Sequence, residues 1–244
     1  ALLGPYLGQP LSFRQISEIQ AAVTRYHRER GQPLVAVTIP PQEISDGGLQ
    51  VNVLQFVVEQ TAVEGNTRLP DAHFASQIRL RPGETVETDR LTEDLNWLSL
   101  NPFRTVQGVF EPGSRYGTTR VIVRVEEGRP WSAYAGLTNA GTAATGRNRL
   151  FAGFNLGALP FADHQLAYQF TIAPQALGQG ELFRVHSRRG YASHALTYFV
   201  PLPDFAGARR KLTFQAYHVS TFSDTGGPVT TASRVANLNV ELAT

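Results

Sequence analysis

Two pairings in this chain could perform acid–base chemistry: His186 with Asp204, and His194 with Asp224. In each, a carboxylate can orient an imidazole that then moves a proton. Such a pair becomes an active site only beside a nucleophile, a metal or a phosphate cradle. No serine elbow, HExxH helix, Walker loop or GxGxxG turn accompanies either pair. Cysteine is absent, which removes thiolate catalysis and disulfides together. The sequence therefore assigns no catalytic, cofactor-binding or metal-binding residue, and a non-enzyme is expected. The histidines are read as structural or surface groups of a β-rich chain.

Charge narrows the partners. The net charge of +2 over 244 residues conceals a split. Residues 1–128 hold 12 Arg against 15 acids, giving −3, whereas residues 129–244 hold 9 Arg and Lys211 against 5 acids, giving +5. The basic residues of the rear half do not gather into one stripe, so nucleic acid is not an expected partner. Arg184, Arg188, Arg189, Arg209, Arg210 and Lys211 fall near strand ends or loops. They can meet lipopolysaccharide phosphates or line a lumen, although ordinary solvated loop charge is the favoured account. No run of eighteen apolar residues exists to form a membrane-crossing helix. No basic segment followed by an apolar one opens the chain, so any secretion signal lies outside it.

The elements that would position these groups follow two grammars. In the front half, Ser12 and Gln15 form a capping box ahead of Phe13, Ile16, Ile19, Val23 and Tyr26, spaced as one helical stripe. Gly31 supplies a left-handed stop, giving a helix over 12–30. Strands 34–39 and 49–58 follow, joined by a turn at Asp46-Gly47-Gly48. A strand at 57–63 then begins a second unit. Gly65-Asn66 turns the chain, and Pro70 opens a helix holding Phe74 and Ile78 that ends at Pro82-Gly83. A further helix carries Leu91, Leu95 and Leu98 and stops at Asn101-Pro102. Two strands around a Pro112-Gly113 turn close the unit. The order helix, strand, glycine turn, strand thus occurs twice, with "LLGPYLG" as the remnant of a first helix in the first copy.

After residue 130 helical periodicity gives way to alternation. Trp131, Ala133, Ala135 and Leu137 alternate with Ser132, Tyr134, Gly136 and Thr138. The same pattern recurs near 150–157, 166–172, 192–200, 210–219 and 233–242. Six such segments with small or polar residues on the second face fit a transmembrane β-barrel. A soluble antiparallel sandwich alternates as well, and pattern alone leaves the two about even. Trp131, Tyr191, Tyr198 and Phe199 near strand ends point to membrane girdles; His194 and His218 on the outer faces point away from them.

The stretch "RYHRERGQPLVAVTIPPQEISDGGLQVNV" resembles the first POTRA domain of the TpsB two-partner secretion transporters of ShlB/FhaC type. The likeness lies in Tyr26, Gly31, Pro40, Pro41, Gln42, Asp46, Gly47 and Leu49. "VEGNTRLP" through "VEEGRP" is similar to the second POTRA domain, and "WSAYAGLTNAG" onward to the first barrel strands; "YFVPLP" resembles a later segment. The resemblance implies α+β POTRA domains in tandem, then antiparallel strands of a transmembrane β-barrel, with boundaries 1–56, 57–128 and 129–244. It implies a Gram-negative outer-membrane pore of about sixteen strands, with POTRA domains in the periplasm. That pore exports a large secreted exoprotein, held through its N-terminal secretion domain, without ATP. Only six strands are present, so the chain is expected to be a partial barrel. A barrel-assembly factor of BamA type, and a soluble β-domain that scaffolds or binds a ligand, are the rival readings.

The resemblance also implies client recognition at the strand Val35, Ala36, Val37, Thr38 and Ile39, placed at a sheet edge. A groove floored by Val23 and Tyr26 would lie beside it. The equivalent strand of the second unit offers Arg104, Val106 and Val109, for which plain core packing is the favoured account.

Overall fold

The computed structural model describes residues 2–43, 47–158, 161–205, 208–224 and 230–243. It divides at Glu127–Gly128 into two units.

In the first unit, α1 (Phe13–Arg28) starts where the sequence predicts. The Ser12 hydroxyl accepts from the Gln15 backbone at 3.3 Å, and Gln15 Oε1 accepts from the Ser12 backbone at 2.8 Å. Two of the donors a helix start leaves unpaired are thereby satisfied. Gly31 at φ +74° follows its end. The stripe is narrower than expected: Ile19, Ala22 and Val23 are buried, whereas Tyr26 is at the surface and Phe13 is 93% exposed. The segment "GPY" ahead of it forms a single 3-10 turn.

β1 (Val35–Thr38) and β2 (Asn52–Gln55) pair antiparallel as a two-stranded sheet. Both are shorter than the sequence predicts. Pro40 and Pro41 carry no N–H, so the ladder cannot continue past Thr38. Beyond it Gln42 ties the arms instead, donating to the Pro40 and Gln50 carbonyls and accepting from the Gln50 N–H at 2.7 Å. Asp46 of the expected turn lies outside the described residues. The expected 49–58 strand is also divided. Phe56 N–H still bonds Leu34 O, but Val57 N–H turns to Gly117 O. At that step one extended chain leaves the first sheet and enters the second as β3 (Val57–Glu64).

The second sheet has the order β3-β5-β4, with β4 (Arg104–Pro112) antiparallel and β3 parallel to the central β5 (Thr118–Glu127). α2 (Asp71–Ala75) and α3 (Thr88–Leu98) come between β3 and β4 in the chain. Val58, Phe74, Ile78, Leu91, Leu98, Val121, Val123 and Val125 form one apolar core. α2 ends earlier than expected, at Ala75, and Ile78 reaches the core from a non-helical segment. The fully buried Asp94 holds that segment: its carboxylate accepts the Arg79 N–H and the Arg79 guanidinium, each at 2.7 Å. The Gly65-Asn66 pair has a geometric reason. Gly65 sits at φ +84° with no room for a Cβ beside the Val125 carbonyl, and Asn66 Nδ2 donates to Leu69 O and Asp71 Oδ1.

The second unit is a six-stranded antiparallel meander: β6 (Trp131–Thr138), β7 (Arg149–Gly157), β8 (Gln165–Ile172), β9 (Gly190–Phe205), β10 (Ala208–Asp224) and β11 (Thr230–Ala243). Strands fall where alternation predicts them, and β9 to β11 run longer. The sheet is not closed: β6 and β11 are its edges. Between β8 and β9, α4 (Pro174–Gly178) begins a strap that runs to Arg189.

Candidate functional site: an edge strand and groove in the first module, and a two-faced sheet

The ladder between β1 and β2 decides which groups the edge offers. Phe56 N–H bonds Leu34 O, so the 34/56 pair is hydrogen-bonded and pairs alternate from there. Ala36↔Leu54 and Thr38↔Asn52 bond across the ladder, while Val35↔Gln55 and Val37↔Val53 do not. The N–H and C=O of Val35 and Val37 therefore point to the side away from β2. The sheet has no third strand among the described residues. On that free side Gln20 Nε2 of α1 donates to Val37 O at 3.4 Å.

A groove of about 510 Å³ opens near this edge, lined by Leu11, Phe13, Ile16 and Gln20 on one side and by Ile39, Pro40, Pro41 and Leu49 on the other. Its position differs from the expected floor. Val23 is packed in the module core, and Tyr26 faces outward with the Arg30 guanidinium 3.6 Å above its ring. Both follow Gln20, the last residue of α1 that lines the groove. Of the expected strand residues, Val35, Ala36, Val37 and Ile39 are half-buried and Thr38 is exposed. Ile39 lines the groove itself. The signal for the groove's true walls was the P-P-Q segment, whose two prolines and Gln42 end β1 and shape the pocket.

β4 is an edge strand, as β1 is, but Arg104 and Val106 face inward, and Val109 lies on the other face with Thr105 and Gln107. Arg104 is buried, donates from Nε to Leu98 O at 2.6 Å, and places its guanidinium 5.3 Å from the Phe74 ring. It satisfies a carbonyl that the end of α3 leaves open. Val106 is core and Val109 half-buried. Burial makes Arg104 and Val106 packing groups, the favoured of the two accounts, rather than client-facing ones; the outward side of the strand start is Thr105 and Gln107.

Two carboxylates fix the turns of this module. Glu59 accepts from the Ser114 hydroxyl and N–H and from the Thr118 hydroxyl at 2.6–2.7 Å. The Ser114 hydroxyl bond leads in holding its carboxyl well below the usual range, at about 2. Burial opposes ionisation of Glu127, yet the Thr67 and Arg68 N–H groups outweigh it and keep that carboxyl lowered too.

In the meander, register sorts every strand onto two faces. One row runs Trp131, Leu156, Leu166, Tyr198, Phe214, Val240; another runs Ala135, Ala152, Phe170, His194, His218, Ala236. Away from the strand ends this face is apolar apart from His194, His218, Ser220 and Arg234, and Arg210, paired with Leu202, joins it towards the β9–β10 turn. The opposite face carries Ser132, Asn155, Gln169, Thr197, Gln215 and Asn239. Trp131 and Tyr198 lie on the apolar face as girdles require, whereas Tyr191 and Phe199 lie on the polar one, because each is one residue out of phase. His194 is satisfied where it stands: Nδ1 accepts the Tyr168 hydroxyl at 2.7 Å and Nε2 faces Leu182 O at 3.0 Å. Phe183 stacks on the same ring at 4.1 Å.

The first of the two acid–base pairs does not form. His186 lies in the strap and Asp204 near the far end of β9, at the β9–β10 turn; His186 faces Glu181 instead, at 4.0 Å. The side chain of Asp224 is outside the described set. No cluster of metal-ligating side chains occurs among the described residues.

Two small α/β modules are thus followed by an antiparallel meander with one apolar face. Residues 1–55 match the family model of the ShlB-type POTRA domain. The chain is 24% identical over 182 residues to the heme/hemopexin transporter protein HuxB of Haemophilus influenzae, covering 72% of this chain and 31% of HuxB. The fold matches that of CdiB from Escherichia coli with a TM-score of 0.60 at 18% identity, over 98% of this chain and 48% of CdiB. BamA from Haemophilus ducreyi lacking POTRA domains 1–3 matches at 0.53 and 15% identity, over 96% of this chain and 42% of that one. The chain spans about a third of the length of the curated relative. The resemblance to TpsB transporters drawn from its residues is supported by the ShlB-type match and by the likeness to HuxB and CdiB alike.

Proposed function

We propose that the chain forms the POTRA tandem and first barrel strands of a two-partner secretion transporter in the Gram-negative outer membrane. The observation that carries this reading is the six-stranded meander with one apolar face that follows a ShlB-type POTRA match and a second α/β module, a fold shared with CdiB. On this reading the modules lie in the periplasm and take an unfolded exoprotein by its N-terminal secretion domain. The outward N–H groups of Val35 and Val37 receive an extended client segment as an added strand, and the groove at Ile16, Ile39 and Leu49 takes its apolar side chains. The further strands needed to satisfy β6 and β11 complete a pore. The protein has no catalytic step; lipid and lipopolysaccharide surround the barrel.

The test is secretion itself. Cells carrying the intact transporter with its partner exoprotein should release that partner, and cells carrying a Val37→Pro transporter should accumulate it in the periplasm. Normal release by the variant removes the edge from the mechanism. A transporter that restores outer-membrane protein assembly instead of secretion would favour the BamA-like alternative.

A further inference from the structure

The strap between β8 and β9 is folded over the apolar face. It is anchored by Ala176 and Val185, which are buried with Ile172 and Ala192, and by the Val185 N–H donating to Ser220 Oγ at 3.0 Å. Yet it leaves Leu177, Leu182 and Phe183 on its surface, Phe183 62% exposed. A strap that served only to cover the sheet would turn these side chains inward. Instead Phe183 overhangs a crevice of about 440 Å³ whose floor is the apolar face itself: Ala133, Ala152, Phe154 and Phe170, with His194 at its edge. The crevice is almost wholly apolar and opens onto the sheet surface.

Charge at the strap has one sign outward. Glu181 is engaged inward, its carboxylate accepting the N–H groups of His186 and Ser187. Arg184, which follows Phe183 directly, is exposed, as are Arg188 and Arg189. Register places this cluster at the end of the sheet away from Trp131, the residue where the chain enters the strands from the second module. Arg209, Arg210 and Lys211 lie at the opposite end, by the β9–β10 turn. The six cations that look alike in sequence are therefore two separate groups.

We propose that the crevice under Phe183 seats an acyl chain of lipid A, with Arg184 and Arg189 facing its phosphates. This deepens the proposed function and rests on it: if the modules are periplasmic, the strap end of the sheet meets the outer leaflet, whose lipid is phosphorylated and carries several acyl chains. The volume falls within the roughly 300–1,000 Å³ typical of small-molecule sites. An apolar wall, an overhanging aromatic ring and neighbouring guanidinium groups match one chain and its head group together.

The experiment uses the intact protein in detergent, titrated with purified lipid A and, separately, with phosphatidylglycerol, by native mass spectrometry. Three variants are compared: Phe183→Ala, Arg184→Glu and Ala152→Leu, the last filling the crevice without loosening the strap. Lipid A is expected to bind wild type in preference to phosphatidylglycerol, and each variant to weaken it about tenfold, a loss of about 1.4 kcal/mol. Equal binding of the two lipids, or unchanged lipid A affinity in both Phe183→Ala and Ala152→Leu, overturns the site. Should Phe183→Ala fail to fold, Ala152→Leu alone decides. A protein that stays monodisperse without detergent overturns the membrane reading itself, which separates the two failures.

Discussion

Gln20 of α1 donates its side-chain amide to the Val37 carbonyl on the free side of β1. One edge acceptor is therefore already engaged by the module's own helix, while the Val37 N–H beside it faces outward. A client strand added at this edge, as proposed, would find the donor open and the acceptor shared. Val37→Pro removes that donor without touching a bond to β2, because Val37↔Val53 is a non-bonded pair. Partner affinity measured by calorimetry should fall about tenfold, the effect of one lost hydrogen bond of about 1.4 kcal/mol, with the module still folded. Gln20→Ala, which frees the acceptor, should not weaken binding.

The Ser12–Gln15 capping box predicts a modest and local cost. Ser12→Ala should lower the stability of the first module by about 1 kcal/mol in chemical denaturation. The second module, with its own core around Phe74 and Val123, should keep its transition.

How much of this was legible in advance depends on distance along the chain. The capping box, the Gly31 stop and the six alternating strands are local patterns, and the structure realises them. The strand ends at Thr38 and Gln55 are not legible in sequence because they depend on which partner the backbone chooses: Pro40-Pro41 end one ladder, and Gly117 captures the other. Core packing is the favoured account of Arg104 from sequence, but its partner, the Leu98 carbonyl six residues earlier, is visible only in the fold. The groove was placed too far along α1 for a similar reason: a helical stripe names a face, but the opposing wall at Ile39 and Leu49 decides where a cavity remains.

Asp94 anchors the second module through a buried charge. Asp94→Ala leaves the Arg79 guanidinium and N–H without that partner, and about 3 kcal/mol of stability should be lost. Arg79 also reaches the exposed Glu93 at 2.6 Å, so Glu93→Ala should cost far less. Urea unfolding followed by Trp97 fluorescence checks both.

Glu59 makes the same module acid-sensitive. Its folded carboxyl, at about 2, lies below the ordinary value of 4.5, so its contribution is full above 4.5 and declines as pH falls toward 2. Wild type should lose stability through that window more steeply than Glu59→Gln, which should be less stable than wild type near neutrality. Parallel pH slopes for the two proteins would remove Glu59 from the account.

The central claim is that the apolar face of residues 131–243 meets lipid and the other face meets water. These 244 residues contain no cysteine, so single cysteines can be placed in them within an intact protein otherwise freed of cysteine. In the membrane-embedded intact protein, cysteines at Leu166, Phe170, Leu212 and Phe214 should resist a charged maleimide, and those at Ala167, Thr171, Thr213 and Gln215 should react. Alternation of that phase in both strands is the predicted result. Uniform reactivity, or the opposite phase, would contradict it.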